Sequence, residues 1–529
     1  MAERESRIKK TLLNARVNFI YYFITLILSF FSRKVFLDCL GADFVGLTGT
    51  LQNLLGFLNL AELGVGSAIG YLLYKPLYDH DQDKINEIIS VMGYLYRIIG
   101  LVILVAGCIL ACFLPLIYPN TDFGMGIIVF AYFTFLASTL IGYFINYRQN
   151  LLGADQRNYV VTAYFQTATV VKTTLQMVSA YYTGSYYLWM VIELVFGIGY
   201  SFILNWKIDQ TYPWLKADVK LGKKLFKKYP EVMQKTKQLF IHQISGFVQF
   251  QTTPFLTYAF VSLKIVAYYG NYTLLVDKII QLMNTFLSSI NASVGNLIAE
   301  GNKQKIMDVF YENCSLRYLY ASFITFVIYL FLEPFITVWL GGEYLLGHVV
   351  LVLLCLKMYV QVMAGKTYAF IYGYGLFADV WAAIVQSAIF LVVAILGGYY
   401  YGLSGIIVAS IISYFVIQSL WKPYYLFKKG FLESLLPYVT YSIGMNVINI
   451  IAILLPTYIM RQLFPINNSS FSSIVVSFIF TMAVYLIITI ILYLSLSKSS
   501  RRLLHRLASS ISVRHKKNKN KNAKLNINV

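Results

Sequence analysis

The sequence predicts an all-α polytopic membrane protein with about fourteen transmembrane helices. Hydrophobic residues make up 58% of its 529 residues and charged residues only 12%, whereas soluble domains average about 25% charged residues. Apolar stretches of about 20 residues, the length that crosses the hydrocarbon core of a bilayer, recur along the chain. The predicted spans are residues 14–37, 44–74, 88–116, 125–147, 159–182, 186–206, 238–262, 268–298, 316–340, 346–372, 378–397, 402–426, 436–460 and 472–496.

Neither the ends of the chain nor its cysteines indicate a catalytic or metal site. The first apolar stretch is long and lacks a small-residue cleavage site, so we expect it to be retained as a span. The five cysteines show no C-x-x-C pair and no metal-ligand spacing, so we expect packing roles and predict neither a metal nor another cofactor. The final segment, RHKKNKNKNAKLNINV, is basic and low in complexity, and is predicted to be disordered.

The distribution of Lys and Arg residues predicts the orientation of the spans. With the N-terminus inside, 34 of the 43 Lys and Arg residues fall in cytoplasmic segments. Four fall in outside loops, namely Arg33, Lys34, Lys264 and Arg461. Both termini are therefore predicted to be cytoplasmic. The net charge of +20 follows this pattern and does not indicate a nucleic-acid partner; the lysine-rich segment 207–237 is expected to contact anionic membrane lipids.

The spans are predicted to form two parallel repeats of six helices followed by two further helices. Val65-Gly66 matches Val294-Gly295 at an offset of 229 residues, and Ala154-Asp155 matches Ala378-Asp379 at a similar one. Because each repeat holds an even number of helices, both have the same orientation in the membrane. The predicted domains are an N-lobe at 1–206, a basic cytoplasmic linker at 207–237, a C-lobe at 238–430, two additional helices at 431–497 and a basic disordered tail at 498–529.

A polar stripe runs along the second predicted span. Its members recur every three or four residues and should share one face of a helix over 44–74; they are Asn53, Gly56, Asn59, Glu62, Gly66 and Gly70. A carboxylate at membrane depth costs about 2.5–3.5 kcal/mol even on the lenient insertion scale, so this face should line a cavity or another helix rather than lipid.

The equivalent span of the second repeat carries a similar stripe. Its members are Lys278, Gln281, Asn284, Ser288, Asn291 and Gly295. Because the two striped helices occupy equivalent places in the two repeats, we expect them to face each other across a central cavity.

Three blocks of the sequence carry a family resemblance. They are RKVFLDCLGADFVGLTGTLQNLLGFLNLAELGVGSAIGYLLYKPL at 33–77, YRQNLLGADQRNYVV at 147–161 and YGLSGIIVAS at 401–410. These blocks resemble polysaccharide-export proteins of the Wzx type, in the superfamily that also holds the MATE drug exporters and the lipid II flippases. The resemblance implies a V-shaped bundle of six plus six helices with two appended.

The same resemblance implies a function. A protein of this kind flips an undecaprenyl-pyrophosphate-linked oligosaccharide from the inner to the outer leaflet of the bacterial inner membrane, for O-antigen or capsule biosynthesis. It is not an enzyme, and its implied partners are the lipid-linked substrate, a glycan polymerase and chain-length proteins. The sequence leaves open which glycan is carried and whether H⁺ or Na⁺ drives transport.

A diphosphate head group needs cations in a hydrated cavity, and arginine and lysine are the candidates. Arginine can bind phosphate through two parallel hydrogen bonds, and lysine as a point charge. The candidate substrate cations are Lys172, Lys357, Lys278, Lys366, Arg16, Arg97, Arg33 and Lys34. Each has a structural alternative, such as an ion pair of Lys172 with Glu193 or Glu62, or an anchoring role at the interface for the arginines.

Glu62 and a cytoplasmic turn are the other candidates. Glu62 is either a coupling site for H⁺ or Na⁺ or the structural partner of a cavity cation, and the sequence favours the partner role. Arg148, Asp155 and Arg157 lie in a predicted cytoplasmic turn and are expected to hold the helix ends of an inward gate.

Two other functions remain open from sequence. A MATE-type exporter of cationic small molecules should line its cavity with acidic residues, whereas the charges within the spans here are mostly Lys and Arg. A membrane polymerase or ligase of glycans should carry a large outside loop with acid, base or nucleophile residues, and the predicted outside loops are short and nearly uncharged.

A reporter domain fused after Lys498 tests the predicted orientation. We expect it on the cytoplasmic side, because the positive residues of the tail resist translocation. A second fusion in the predicted outside loop between 116 and 125 should report the opposite side. A reporter after Lys498 that is found outside would contradict the cytoplasmic C-terminus and the even number of spans.

Overall fold

The protein is built of α-helices, as the sequence predicts. The computed structural model describes residues 7–62, 64–119, 121, 123–376, 378–463 and 470–502, and no strand occurs among them. The helices are α1 (Arg7–Leu40), α2 (Ala42–Leu58), α3 (Val65–Asp79), α4 (Gln82–Ala111), α5 (Leu114–Ile117), α6 (Met125–Phe144), α7 (Gln149–Ala154), α8 (Asn158–Thr183), α9 (Tyr186–Thr211), α10 (Val219–Phe226), α11 (Pro230–Phe260), α12 (Leu263–Ala299), α13 (Lys303–Trp339), α14 (His348–Gly373), α15 (Val380–Tyr414), α16 (Lys422–Leu426), α17 (Leu436–Leu463) and α18 (Phe471–Leu496).

Eight helical stretches among the described residues are long and apolar enough to cross a membrane. They are Gln82–Ala111, Met125–Phe144, Tyr186–Thr211, Lys303–Trp339, His348–Gly373, Val380–Phe431, Leu436–Gln462 and Phe471–Leu496. Each of the fourteen predicted spans overlaps one or more helices of the structure. The count of fourteen membrane crossings itself stays a prediction.

The apolar helices have one buried and one exposed face. In α4, Ile99 and Ile103 are buried, whereas Leu101 and Val105 are 54% and 59% exposed. Both pairs are four residues apart, so each lies on its own side of the helix. Exposed aliphatic side chains of this kind are expected where a helix meets lipid tails.

The chain divides into two compact units. Unit 1 comprises Met1–Gly270 and unit 2 comprises Asn271–Val529, so the division falls inside α12. The lobe boundaries drawn from the sequence stay a prediction. In unit 2, an aromatic cluster forms part of the core, with the rings of Phe370, Phe427 and Phe431 packed edge-to-face around Phe310 at 5.2, 5.6 and 5.0 Å.

The second predicted span is not a single helix, and that expectation was wrong. α2 ends at Leu58, a 3₁₀ turn runs over Asn59–Glu62, and α3 begins at Val65. Gly64 between them has φ of 91°, a left-handed conformation that glycine adopts without strain. The polar residues therefore do not share one helical face, because the break falls in the middle of the stripe.

A sharp bend separates the eleventh and twelfth predicted spans. Gly402, with φ of 55°, interrupts α15, and a Cβ built on Gly405 would lie 1.9 Å from the carbonyl oxygen of Gly397. Residues eight apart on a straight helix would be separated by about 12 Å. The chain therefore turns back on itself at Gly402. The backbones before and after the turn come into contact at Gly397 and Gly405, where neither residue has a side chain.

The basic segment 207–237 is ordered and, as part of unit 1, packs against α4. Within it, α10 lies against α4 so closely that a Cβ on Gly222 would be 2.2 Å from the carbonyl oxygen of Ser90. The backbone N–H of Asp218 donates to Ser90 Oγ at 2.9 Å, and Lys228 forms an ion pair with Glu87 at 2.7 Å. Lys220, Lys223 and Lys224 are thus displayed from a helix that packs against α4.

The predicted tail begins with ordered residues. Residues 498–502 are helical, and Ser499 and Ser500 are buried. Ser499 Oγ lies 2.6 Å from Ser315 Oγ of α13, and Arg502 pairs with Asp308 of the same helix. The basic remainder, 503–529, lies outside the described residues.

A close approach of α2 to the start of α12 within unit 1 can be tested at Gly46. A Cβ there would lie 2.1 Å from the carbonyl oxygen of Leu263, and the backbone cannot yield as a side chain would. We expect Gly46→Ala to lower the free energy of unfolding by about 1–3 kcal/mol, the usual cost of overpacking. Thermal unfolding of the purified protein in detergent measures this.

Gly49→Ala is the matched control. It lies on the same helix with nothing within 4 Å of its Cβ position, and alanine is favoured over glycine in a helix by up to about 1 kcal/mol. Equal behaviour of the two variants would contradict the close approach.

Candidate functional site

A carboxylate lies at the break between α2 and α3 and accepts hydrogen bonds from two phenols. Tyr96 donates to Glu62 Oε1 at 2.5 Å, and Tyr143 donates to Glu62 Oε2 at 2.8 Å. Both tyrosines are about 95% buried, on α4 and α6. Hydrogen bonds to an ionised group are roughly twice as strong as those between neutral groups. The three helices therefore meet at a partly buried carboxylate.

Two further polar groups complete this cluster. The Tyr143 hydroxyl also lies 3.1 Å from Asn59 Oδ1, in the 3₁₀ turn itself. Gly66 leaves room for the phenol, because a Cβ there would be 3.0 Å from the Tyr96 hydroxyl. Asn53 is directed elsewhere and donates to the carbonyl oxygen of Gly49 at 2.6 Å. Of the first stripe, the structure thus brings Asn59, Glu62 and Gly66 together.

Glu62 has no cationic partner among the described residues, since no lysine or arginine of that part of the chain lies within ion-pair distance. The sequence left two roles open for it. The described contacts lack the cation that the structural-partner role requires.

Lys172 is paired with Glu193, one of the two partners that the sequence suggested. Its Nζ lies 2.7 Å from Glu193 Oε1, and the side chains are 20% and 17% exposed. Gln176 donates to the other carboxylate oxygen at 3.0 Å. This ion pair links α8 to α9 and leaves little net charge at Lys172.

The remaining candidate cations of unit 1 lie in separate places. Arg33 donates to the carbonyl oxygen of Ala267 at 2.9 Å, and Lys34 lies 3.4 Å from Asp38 on the same helix face. Arg16 and Arg97 are exposed. The structure does not gather the candidate cations of this unit around one point.

In unit 2, two of the predicted cations share an acidic neighbour. Lys278 and Lys357 both interact electrostatically with Asp277. Gln281, on the same helix, is exposed. The side chains of the other predicted stripe residues are not among those the structure describes; they are Asn284, Ser288 and Asn291.

Lys366 differs from the other candidates because its ammonium group contacts phenols. It is 5% exposed on α14, and its Nζ lies 3.3 Å from the Tyr318 hydroxyl. The same nitrogen lies 4.8 Å from the centre of the Tyr318 ring and 5.5 Å from that of Tyr438. Aromatic faces attract a cation without neutralising its charge.

Arg317, on the neighbouring helix, was missed by sequence reasoning. Arg317 was counted with the positive residues of the cytoplasmic segment 299–317, which overlaps the start of the predicted span, whereas α13 begins at Lys303. Arg317 is only 7% exposed, and its Nε is buried without a hydrogen-bond partner among the described residues. A helix signal upstream of 316, Asn302 capping the N–H of Lys305, could have revealed it.

The three predicted gate residues flank α7, and Arg148 and Asp155 among them contact the end of α9. Arg148 pairs with Asp209 at 2.6 Å, and Arg157 pairs with Asp155 at 2.9 Å. Tyr212 donates to Asp155 at 2.8 Å. Burial, and then the neighbouring Asp155 carboxylate, raise the pKa of the Tyr212 phenol, so it remains a hydrogen-bond donor at neutral pH.

The matching aspartate of the second repeat has a similar role. Asp379 pairs with Lys422 at 2.7 Å and accepts from Trp421 Nε1 at 3.1 Å. Both aspartates, Asp155 and Asp379, thus bind the end of the sixth helix of their own repeat. This shared role supports the repeat that the sequence predicts.

A cavity of about 640 Å³ lies in unit 1 between the start of α2, the segment 113–123 and the end of α11. Its lining residues include Phe44, Phe123, Tyr258 and Asp43. This volume lies within the range of small-molecule sites.

Comparison with known proteins identifies the fold. No protein-family model and no curated protein matches the sequence. A structure of the lipid II flippase MurJ in an inward closed conformation is 15% identical in sequence. The aligned region spans 92% of this chain and 99% of the MurJ chain, with a TM-score of 0.60. An inward-facing multidrug resistance transporter of the MATE family is 15% identical and covers 75% of this chain and 93% of its own, with a TM-score of 0.55.

An outward-facing multidrug resistance transporter of the MATE family is 12% identical and covers 79% of this chain and 93% of its own, with a TM-score of 0.50. These transporters and MurJ belong to the MOP superfamily. Together with the eight apolar helices, this likeness makes the chain a multi-pass membrane protein. The chain has the fold that the MATE transporters share with MurJ, which confirms the fold class predicted from the sequence.

Proposed function

We propose that this protein flips a polyprenyl-diphosphate-linked oligosaccharide across the bacterial inner membrane by alternating access, for surface polysaccharide biosynthesis. The substrate combines a lipid tail that can stay in the bilayer with a charged diphosphate and a sugar head that cannot cross hydrocarbon. A protein that moves it must give the charged head a polar path and leave the tail in lipid.

The likeness to a lipid flippase over almost the entire chain is the observation that carries this proposal. The MurJ structure covers 92% of the chain, whereas the two MATE structures cover 75% and 79%. The fold therefore extends beyond the part shared with drug exporters. MurJ, the relative that matches this longer form of the fold, is a flippase of lipid II.

Charge and cavity chemistry support an anionic, sugar-bearing substrate. Lys366 and Arg317 are buried without a carboxylate at ion-pair distance among the described residues. The lining of the cavity in unit 1 includes Phe44, Phe123, Tyr258 and Asp43, and aromatic and carboxylate side chains of this kind can contact sugar rings.

Export of a cationic small molecule is the second candidate. Glu62 favours it, because a carboxylate without a described cationic partner could attract a positive substrate. In the flippase proposal, Glu62 instead binds the coupling H⁺ or Na⁺.

A reconstituted flipping measurement tests the proposal. Liposomes that hold the full chain and a fluorescent lipid-linked oligosaccharide should expose the label to an external quencher faster than protein-free liposomes. The same oligosaccharide on a neutral polyprenol serves as the control and should move slowly. Efflux of a cationic dye without movement of the lipid-linked oligosaccharide would contradict the flippase and support the exporter.

The Lys172–Glu193 pair can be tested by a double-mutant cycle. Lys172→Met leaves Glu193 uncompensated and should lower the free energy of unfolding by about 3 kcal/mol. Because Glu193 already neutralises Lys172, we expect Lys172→Met/Glu193→Gln to recover most of the stability and to flip lipid at nearly the wild-type rate.

The exposed pair of Lys305 with Glu300 provides the control for this cycle, and Lys305→Met should change stability by less than about 1 kcal/mol. A folded double variant without flipping would mean that Lys172 contacts the substrate, as the sequence suggested.

Glu62→Gln tests ion coupling. Glutamine keeps the size of the side chain but cannot bind and release a proton or hold a cation by charge. We expect an imposed H⁺ or Na⁺ gradient to accelerate flipping about tenfold in the wild type and hardly at all in Glu62→Gln. Glu343→Gln, which changes an exposed carboxylate, should behave as wild type. If Glu62→Gln responds to the gradient as strongly as the wild type, Glu62 does not bind the coupling ion and its role is structural.

A further inference from the structure

A short helix in the lysine-rich segment packs on α4 of unit 1. A Cβ built on Gly222 of α10 would lie 2.7 Å from the Cβ of Tyr94, and the rings of Phe226 and Tyr94 have their centres 6.3 Å apart. The side chain of Asp218 caps the helix by accepting from the backbone N–H of Lys220 at 2.8 Å. Packing on one side leaves the opposite side of α10 directed away from α4.

Four lysines share that opposite side. They stand three and four residues apart, a spacing that places side chains on one face of a helix. These residues, the lysine face, are Lys220, Lys223, Lys224 and Lys227. All four are exposed, and Lys227, which directly follows α10, keeps helical backbone angles. At about 100° per residue, Gly222 and Phe226 lie on the other side of the helix.

No carboxylate neutralises the lysine face. Among the described residues, no Asp or Glu lies within 4.0 Å of its four ammonium groups. The next lysine along the chain, Lys228, is by contrast paired with Glu87 at 2.7 Å. Like charges one helical turn apart repel each other and destabilise the helix. An anionic surface against this face would offset that repulsion.

The place of α10 along α4 is near the edge of the apolar part of that helix. α10 packs on Ser90 and Tyr94, and the exposed aliphatic side chains of α4 begin at Ile98. Four residues of helix measure about 6 Å, and the head-group region on each side of a bilayer is about 5–8 Å thick. Leu221, beside the lysine face, is 51% exposed. This position corresponds to the depth of the lipid head groups.

We propose that the lysine face of α10 binds the anionic head groups of phospholipids in the cytoplasmic leaflet. This narrows the lipid contact expected of the whole segment 207–237 to one face of one helix. Each lysine close to an anionic surface strengthens the attachment about fivefold. The bound lipids hold α10, and the end of α4 beneath it, at the membrane surface. The inference does not depend on which substrate the protein transports.

Competition between two phospholipids tests the lysine face. Native mass spectrometry of the full chain, with phosphatidylglycerol and phosphatidylcholine of equal acyl chains, should show at least about tenfold tighter binding of phosphatidylglycerol. Lys220→Gln/Lys223→Gln/Lys224→Gln/Lys227→Gln, the glutamine variant, should lower this preference at least about fivefold. The same four positions changed to Arg should keep the preference, because arginine retains the charge.

A control variant removes the same amount of charge from other places. Its changes are at exposed lysines that are also predicted to be cytoplasmic but do not share a helix face with the four; they are Lys75→Gln, Lys84→Gln, Lys303→Gln and Lys305→Gln. We expect it to bind phosphatidylglycerol as the wild type does. Thermal unfolding without added lipid checks that the variants are folded, and the exposed changes in α10 should leave the unfolding temperature unchanged. If the glutamine variant does not fold, Lys223→Gln/Lys224→Gln should still show a smaller loss of the preference.

Three results would overturn the proposal. The first is equal binding of the two phospholipids by the wild type, and the second is a folded glutamine variant that keeps the wild-type preference. The third concerns a different occupant, an acidic protein segment, for which soluble polyglutamate is the probe. Polyglutamate that binds the wild type more tightly than phosphatidylglycerol does, and no longer binds the glutamine variant, would assign the lysine face to an acidic peptide.

Discussion

A charge at membrane depth must be matched, and this requirement organises the polar side chains of the protein. Lys172 and Glu193 satisfy it as an ion pair between α8 and α9. Glu62 accepts hydrogen bonds from two neutral phenols, but no described cation balances its charge. Arg317 and Lys366 are matched by no described carboxylate. Groups that remain unmatched after folding are the ones available to ligands, and here they have opposite signs in the two units.

The break between α2 and α3 follows from the same need to match polar groups within a membrane. Backbone groups freed from a helix within a membrane need partners or a polar cavity. The break at Asn59–Glu62 occurs where Tyr143 reaches both Asn59 and Glu62, so the irregular backbone and the buried carboxylate share one polar environment. A positive φ at Gly64 makes the turn possible. The unmatched carboxylate and the interrupted helix are therefore one feature of the fold.

Hydropathy was sufficient to place the helices, because the membrane requires long apolar stretches. It could not reveal the break in 44–74, because a polar stripe with regular spacing resembles a continuous amphipathic helix. Glycine also adopts helical and left-handed conformations, so the sequence alone does not show that Gly64 has a positive φ. It also missed Arg317, because the apolar part of α13 begins well after the helix itself. Partners brought together from distant helices, such as Tyr96 and Tyr143 at Glu62, leave no pattern in one sequence.

The central claim is that the substrate carries negative charge. The affinity of the protein for a charged lipid, compared with a neutral one, tests that claim directly. The full chain in nanodiscs should bind a polyprenyl diphosphate at least about 100-fold more tightly than the polyprenol of equal chain length. The reason is that pairing a cation buried away from water with an anion contributes strongly to the free energy of binding. Equal affinities for the two lipids would contradict an account in which the diphosphate is bound by the buried cations of the protein.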